Sequence, residues 1–228
     1  MTTQCYTALK QITMLQIETF VNRPIDENTY VVSDTTTREA MIVDCGALFP
    51  DDQEAIADYI RREGLTVCLH VLTHGHFDHM FGAQWVADTY GVQPTLHSAD
   101  TEFYTNAVAM VSAFFHRPIS FPVPPIGETM AAGSRLQLGG SSWRVIHTPG
   151  HTPGGCCLYC VEEGILFSGD SIFRGSIGRT DMQGGDHRAL VEALQNEILT
   201  LPDGVKIYPG HGPATSVDYE KVYNPYIV

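Results

Sequence analysis

The sequence has few basic residues. It contains 13 lysine and arginine residues against 26 aspartate and glutamate residues, which gives a formal net charge of −13. Nucleic-acid binding depends on positive charge that displaces counterions from phosphates. This charge balance therefore argues against a nucleic-acid partner.

The sequence also lacks a long apolar run. A membrane-spanning helix needs roughly 20 consecutive apolar residues, and no stretch approaches that length. The beginning of the chain, from Met1 to Phe20, alternates apolar and polar side chains instead of forming the apolar centre of a signal peptide. We therefore expect a soluble, cytoplasmic protein that has no membrane partner.

Cysteine is too scarce for a disulfide-stabilised protein, with six residues in a chain of 228. A chain of this length buries about 70% of its extended surface, so residues 1–228 are expected to form one domain without disulfides. Cys157 and Cys160 have the spacing of a zinc or redox pair, but they lie in a strand-like run, where residues three apart point to opposite faces. We expect the cysteines to be thiols.

Hydrophobic periodicity predicts both strands and helices. Strand-like runs are Ile12–Phe20, Thr29–Val32, Ala40–Asp44, Cys68–Thr73, Trp143–Thr148, Cys156–Val161, Ile165–Ser168 and Val205–Tyr208. Helical spacing occurs at Asp51–Glu63, near His79, over Ser98–Phe114 and after a capping Asp186. The mixture in both halves predicts an α/β (α+β) fold, a four-layer αββα sandwich with two facing sheets and helices outside.

Residues able to bind metal are concentrated in one short segment. Three imidazoles and a carboxylate occupy six positions directly after an apolar run, at His74, His76, Asp78 and His79. Folding does not require such a density of polar side chains. Imidazole nitrogen and carboxylate oxygen suit zinc, and also iron or manganese, so this segment predicts a divalent metal site.

Three more candidate ligands follow other apolar runs and stand next to glycine. They are His151, Asp170 and His211. Strand ends are where a rigid scaffold displays catalytic groups, and glycine allows a sharp turn there. Seven ligands exceed the four that one tetrahedral zinc takes, so we predict two divalent metal ions, zinc in the first place, with iron or manganese also fitting.

These residues resemble the metallo-β-lactamase superfamily, whose His-x-His-x-Asp-His block and later ligands match this sequence along nearly the whole chain. The resemblance implies the fold of that family and two metal positions that share a bridging ligand. It further implies that His74, His76 and His151 hold the first metal, that Asp78, His79 and His211 hold the second, and that Asp170 bridges them.

The surrounding motifs look most like small enzymes of the glyoxalase II (hydroxyacylglutathione hydrolase) type. The matching segments are Thr148–Gly154, Gly169–Gly175, Gly178–Asp181 and Tyr208–Gly212. The resemblance implies hydrolysis of a small-molecule thioester, of the S-lactoylglutathione type, by a hydroxide that bridges the two metals. In such a site we expect Asp78 to orient the attacking water and accept its proton.

Two features depart from the longer glyoxalase II enzymes. Those enzymes carry a C-terminal helical domain that grips glutathione, whereas 17 residues follow His211 here. They also place a lysine and a tyrosine in the loop after the bridging aspartate, where this sequence has Arg179 and Asp181. A thiol carrier other than glutathione is compatible with both departures.

Several other polar residues stand close to the predicted ligands. Arg174 and Arg179 follow Asp170 and either bind a substrate carboxylate or remain solvated. The helix Ser98–Phe114 either forms a wall of the pocket or only packs in the core.

The sequence also suggests roles for four more residues. Asp44, at a strand end, either supports a ligand imidazole by a hydrogen bond or only forms a turn, and His147 is a second candidate support because it lies near His151. His70 and His97 are expected to be core histidines with their hydrogen bonds satisfied.

Other activities remain open. Persulfide dioxygenases resemble the same motifs, and in them one iron is held by residues that match His74, His151 and Asp170, a facial triad with open positions for oxygen. Lactonases and ribonucleases share the superfamily, although the acidic charge disfavours RNA. A non-catalytic module is a further class, but all seven ligand positions hold competent residues. The sequence does not set the oligomeric state.

Overall fold

The computed structural model describes residues 15–227, which contain two six-stranded sheets. The first sheet is formed, in spatial order, by β1 (Leu15–Asn22), β2 (Glu27–Asp34), β3 (Glu39–Val43), β4 (Thr66–Val71), β5 (Pro94–His97) and β6 (Glu128–Met130). The predicted strand that starts at Ile12 therefore begins outside the described residues.

The second sheet comes from the other half of the chain. Its strands are β7 (Arg135–Leu138), β8 (Ser141–His147), β9 (Cys156–Cys160), β10 (Ile165–Gly169), β13 (Lys206–Pro209) and β14 (Thr215–Ser216), in the spatial order β14-β13-β10-β9-β8-β7. A hairpin of β11 (Ile172–Phe173) and β12 (Ser176–Ile177) follows β10. The strands β10 and β13 are parallel neighbours, so their carboxyl ends meet at one edge.

Six α-helices occur in the described residues. They are α1 (Pro50–Arg62), α2 (Ala83–Tyr90), α3 (Thr101–Thr105), α4 (Ala107–Phe114), α5 (His187–Ala193) and α6 (Val217–Tyr223). In α1 a proline opens the helix, acidic residues lie in the first turn and arginines in the last, an arrangement that complements the helix dipole. Its buried face carries Ile56, Tyr59 and Ile60.

Three clusters of apolar side chains lie between the sheets and between each sheet and the helix outside it. Between the sheets lie Met41, Trp143, Leu158 and Phe167, while Ile42 and Ile56 belong to a separate cluster between the first sheet and α1. A third cluster, with Ile146, Leu190 and Ile207, lies between the second sheet and α5. This layering confirms the predicted α/β, αββα sandwich.

The predicted helix Ser98–Phe114 is wrong as one continuous element. The chain makes a 3-10 turn at Ser98–Asp100 and breaks again at Asn106, whose φ and ψ are −95° and 5°. The Asp100 carboxylate accepts hydrogen bonds from the Gly75 and Gly154 amides, which holds the start of this segment against two loops. Phe114, the last residue of the predicted helix, is 47% exposed and lines a cavity.

The helix predicted to start near His79 begins four residues later, as α2 at Ala83, and a single 3-10 turn, Phe77–His79, precedes it. His70 also differs from expectation. It is buried, as expected, but neither ring nitrogen has a hydrogen-bond partner, and burial lowers its pKa to about 3. The sequence pattern reports burial but not the partners that a buried ring finds.

The described cysteines are free thiols, as predicted, and Cys5 lies outside the described residues. On β9, Cys160 belongs to the core between the sheets and Cys157 to the core on the opposite face. The two thiols therefore cannot bind one ion. Within residues 15–227 no helix has the length and apolar character needed to cross a bilayer.

Candidate metal centre

The predicted ligands lie on loops that follow four strands. The segment after β4 carries His74, and the loop after β8 carries His151. Asp170 directly follows β10, and His211 follows β13. The Gly210 amide donates to the Gly169 carbonyl at 2.8 Å, so the last two loops lie side by side. The structure brings all seven predicted side chains to one edge of the sandwich.

One half of the cluster contains three imidazoles. His74, His76 and His151 are 1%, 3% and 4% exposed, and each offers a donor atom within 4.8 Å of the others. The Nδ1 of His76 lies 2.9 Å from the Nε2 of His151. Two ring nitrogens therefore point at the same small space, which suits a shared cation.

The other half contains a carboxylate and two imidazoles. Asp78, His79 and His211 also offer donor atoms within 4.8 Å of one another. The Nε2 of His211 is 3.4 Å from Oδ2 of Asp78, and the Nε2 of His79 is 4.0 Å from the same oxygen.

Asp170 lies between the two halves. Its Oδ1 is 3.3 Å from Nε2 of His79, while its Oδ2 is 3.5 Å from Nε2 of His151 and 3.7 Å from Nε2 of His211. One carboxylate thus faces imidazoles of both halves, which is the position of a bridging ligand.

The donor atoms fit a pair of divalent cations. Nε2 of His74, Nε2 of His79 and Oδ1 of Asp170 are buried and have no hydrogen-bond partner. Buried polar atoms without partners are costly, and here they converge on one space. Two such sets of imidazole nitrogens and carboxylate oxygens suit zinc, iron or manganese.

The opposite nitrogens of these rings are held by the protein. Nδ1 of His74 lies 3.1 Å from the Thr73 hydroxyl, and Nδ1 of His151 lies 2.8 Å from the Arg179 carbonyl. Nδ1 of His211 lies 3.2 Å from the Asp26 carbonyl. Such contacts fix the tautomer of an imidazole and leave Nε2 free for a metal.

Asp44 supports His79 in the same way. Its Oδ2 is 2.9 Å from Nδ1 of His79, and its Oδ1 accepts a hydrogen bond of 2.8 Å from the Thr73 amide. Asp44 adopts a positive φ of 56°, so the chain turns sharply where the carboxylate is needed. The predicted support of a ligand imidazole is present as a contact.

Burial and neighbouring charges shift the pKa values of several residues in the cluster. Burial lowers the pKa of His79, but the carboxylates of Asp170, Asp44 and Asp78 outweigh it and raise that pKa well above its ordinary value. Burial raises the pKa of Asp170, yet His79 and its neighbours hold it well below the usual range. Burial lowers the pKa of His74 well below its usual value, and the neighbouring imidazoles add to this. The carboxylates thus favour a positive charge at this position.

Two buried acids near the cluster were not predicted from the sequence. Glu27 accepts hydrogen bonds from the Gly46 amide at 2.9 Å and from Asn22 at 3.0 Å, and burial raises its pKa to about 8. Asp100 accepts from the Gly75 amide at 2.8 Å and from the Thr152 hydroxyl at 2.7 Å, so it joins the two loops that carry histidines. Neither acid stands in a local motif that could have marked it.

A cavity of about 400 Å³ opens over the cluster. Arg179 lines this cavity, but its guanidinium pairs with Asp181 through two contacts of 2.7 and 2.9 Å. Arg174 is exposed and lies over the Tyr219 ring at 4.7 Å, outside the residues that line the cavity. The two arginines predicted together therefore lie in different surroundings.

His147 contacts the loop after β8 and not a ligand ring. Its ring stacks on His97 with centroids 4.2 Å apart, and its Nε2 is 2.9 Å from the Pro153 carbonyl. His147 was predicted to lie near His151, and its contact with Pro153 places it beside the loop that carries His151. The helix Ala107–Phe114 contributes Phe114 to the cavity wall, as one of the two expectations for that segment had it.

The fold and the ligand cluster define a class of protein. The sequence profile of the Metallo-beta-lactamase superfamily matches residues 22–211, and the chain belongs to this superfamily. The cluster at the edge of its sheets is a site of the metallo-hydrolase type, with side chains suited to divalent metal.

Individual relatives give the comparison more detail. The chain is 30% identical to the hydroxyacylglutathione hydrolase GloC of Haemophilus influenzae, over 83% of this chain and 88% of that protein. Among solved structures, the BLEG-1 B3 metallo-beta-lactamase superposes with a TM-score of 0.85 at 36% identity, covering 93% of this chain and all of that one. TTHA1623, solved in a di-iron-bound form, has a TM-score of 0.77 at 33% identity, with coverages of 89% and 96%.

Proposed function

We propose that the protein is a metal-dependent thioester hydrolase of the glyoxalase II type. The observation that carries the proposal is the convergence of seven imidazole and carboxylate side chains, five of which line a cavity of about 400 Å³, a size suited to a small molecule. The similarity to GloC, named as a hydroxyacylglutathione hydrolase, supports a thioester as substrate. The acidic net charge of −13 favours a small molecule over RNA.

In this proposal the ligands form two sets. His74, His76 and His151 would hold one ion, Asp78, His79 and His211 would hold the other, and Asp170 would be shared between the two sets. Two divalent ions bound there supply a water of lowered pKa and a Lewis acid for the carbonyl oxygen. Zinc suits these donors, and the di-iron form of TTHA1623 supports iron as the other candidate.

The protein side chains have separate tasks in hydrolysis. Asp78 lines the cavity and lies within 3.4 Å of His211, so its carboxylate is placed to orient the attacking water and to accept its proton. Asp44 fixes the ring of His79, and the apolar walls of the cavity keep bulk water from the reacting carbonyl. A serine or cysteine nucleophile is not needed.

The test combines metal content with substrate turnover. Protein purified without added metal is analysed for its elements and assayed with S-D-lactoylglutathione, a β-lactam and a lactone, and for oxygen uptake with a persulfide. About two metals per chain with thioester turnover is the expected result. One iron per chain with oxygen uptake would overturn the proposal in favour of a dioxygenase, and turnover of only the lactam or the lactone would replace thioesters as the substrate class.

A further inference from the structure

One side of the cavity over the metal cluster is apolar. Phe77 and Phe114 have ring centroids 5.4 Å apart, and Phe173 lies 6.2 Å from the ring of His211. Three further apolar side chains complete this lining, namely Ile25, Ile177 and Met182. We call these six residues the apolar wall. A substrate group bound in this cavity can contact these side chains.

Phe114 is the most exposed phenylalanine of the wall. It is 47% exposed at the end of α4, although the same helix buries Ala107 and Val111. Phe49, the other strongly exposed phenylalanine in the described chain, differs because the guanidinium of Arg23 lies over its ring at 5.2 Å. An aromatic face left open at the mouth of a catalytic cavity suits an apolar ligand group.

Away from the metal positions, the same cavity offers little to a carboxylate. Among the described residues that line it, Arg179 is the one lysine or arginine, and Asp181 already neutralises it. Asp78 and Asp170 also line the cavity, but the proposed function commits them to the metal ions. Glutathione, which carries two carboxylates, therefore finds one engaged cation here.

A second cavity of about 310 Å³ is lined in part by residues of α4. Met182 and Phe114 line the first cavity, and their sequence neighbours Gln183 and Ala113 line the second. The remaining lining of the second cavity is mainly apolar and includes Phe103, Ala109 and Met110.

We infer that the substrate is a thioester with an apolar acyl group, aromatic or medium-chain alkyl, that packs on the apolar wall next to Phe114. This inference rests on the proposed thioester hydrolase function and names the acyl class of that site. The small hydroxylated lactoyl group leaves most of the wall uncovered. Hydrolysis of apolar acyl thioesters is therefore expected to exceed that of lactoyl thioesters.

The first experiment varies the acyl group on one uncharged thiol. Acetyl, butanoyl, hexanoyl, phenylacetyl and lactoyl thioesters of N-acetylcysteamine are compared with the metal-loaded protein. We expect kcat/KM to rise about fourfold for each added methylene while the wall is being covered. An equal rate for all acyl groups, or a preference for lactoyl, would overturn the inference and leave thioester hydrolysis intact.

Binding of the product acids gives a readout that does not need turnover. Acetate, butanoate, hexanoate and phenylacetate are titrated into the metal-loaded protein by calorimetry. Affinity that rises with apolar area supports the apolar wall even if no thioester is cleaved, in which case only the proposed function fails. Affinity independent of acyl size overturns the inference whatever the enzyme hydrolyses.

Variants locate the effect on the wall. Phe114→Ala is expected to lower kcat/KM for the hexanoyl thioester, and the affinity for hexanoate, by about tenfold, with little change for acetyl and acetate. Phe49→Ala, the matched control outside both cavities, is expected to change neither. Equal losses for short and long acyl groups, or the same loss in Phe49→Ala, would show that Phe114 does not contact the acyl group.

Discussion

Replacing Asp44 by asparagine tests how the second metal position is built. The carboxylate now accepts a hydrogen bond from the Thr73 amide at 2.8 Å and contacts Nδ1 of His79 at 2.9 Å. In Asp44→Asn the amide oxygen can keep the bond from Thr73, which leaves the NH2 group facing His79. Nδ1 of His79 must then accept a hydrogen bond, so the proton moves to Nε2, the atom that faces Asp170.

A protonated Nε2 cannot bind a metal, and the cost can be given a scale. Loss of a carboxylate that orients a ligand imidazole typically weakens metal binding by 10-fold to 100-fold, or about 1.4 to 2.7 kcal/mol. The loss should fall on the position formed with Asp78 and His211. The position of His74, His76 and His151 should lose less affinity, because Asp44 contacts none of these rings and reaches His74 only through the Thr73 hydroxyl.

The assay is a zinc titration of metal-free protein in competition with a chromophoric chelator, which resolves a tight and a weak step. Asp34→Asn is the matched control. Asp34 is also a buried carboxylate, 1% exposed, and accepts from the Thr36 amide at 2.8 Å and the Gly140 amide at 2.9 Å. It ends β2, roughly 23 Å along the strand from Glu27 at the site end.

The control should lower the stability of the fold and leave both zinc affinities unchanged. The reasoning fails if Asp44→Asn binds two zinc ions as tightly as the unmodified protein. It also fails if both variants weaken zinc equally, since the effect would then come from general destabilisation.

Three other changes give separate tests. Asp78→Asn should lower kcat by about 10²-fold to 10⁴-fold with the first metal retained in elemental analysis, and full turnover at full metal content would remove its proton-accepting role. Gly210→Ala should weaken metal binding, because the new Cβ would lie 2.3 Å from Oδ1 of Asp170, whereas Gly204→Ala has open space and should bind normally. His70 is held neutral with a pKa of about 3, against an ordinary value of 6.5, so the unfolded chain binds more protons between these values. Stability should therefore fall as the pH drops from about 6.5 toward 3, and His70→Leu should flatten this fall in urea titrations.

The sequence predicted the ligand positions because their signal is local. Four candidates are clustered within six positions, the other three each follow an apolar run beside a glycine, and the ends of parallel strands such as β10 and β13 must lie together. This reasoning needs no knowledge of distant partners. The structure places all seven side chains in one cluster, and their roles as ligands stay a prediction until metal is measured.

Asp44 was predicted as a support, but the supports supplied by Asp100 and Glu27 could not be, because their partners are distant in sequence. Asp100 contacts Gly75 and Thr152, and Glu27 contacts Gly46, across 25, 52 and 19 residues. Nothing in the local pattern distinguishes these acids from solvated ones. The break in the helix Ser98–Phe114 has the same origin, since helical periodicity cannot register that Asp100 is committed to two other loops.

Several strands were missed for a different reason. β5 has four residues and β6 has three, and β6 has two exposed side chains among them. Such short segments carry too little periodicity to be recognised. They form strands because a neighbouring strand offers paired backbone groups, as β5 does for β6 through Leu96 and Thr129.

Hydrogen bonds between the two sheets hold the loops that carry the cluster. The Asn28 amide on β2 donates to the Gly210 carbonyl at 2.7 Å, and the Tyr30 hydroxyl donates to the Pro209 carbonyl at 2.7 Å. On the other side, the Cys156 amide donates to the Thr73 carbonyl at 3.0 Å. The loops of His211 and His74 are thus each tied across the sandwich by backbone atoms. Because the fold orders these loops, metal binding does not have to supply the free energy of ordering them.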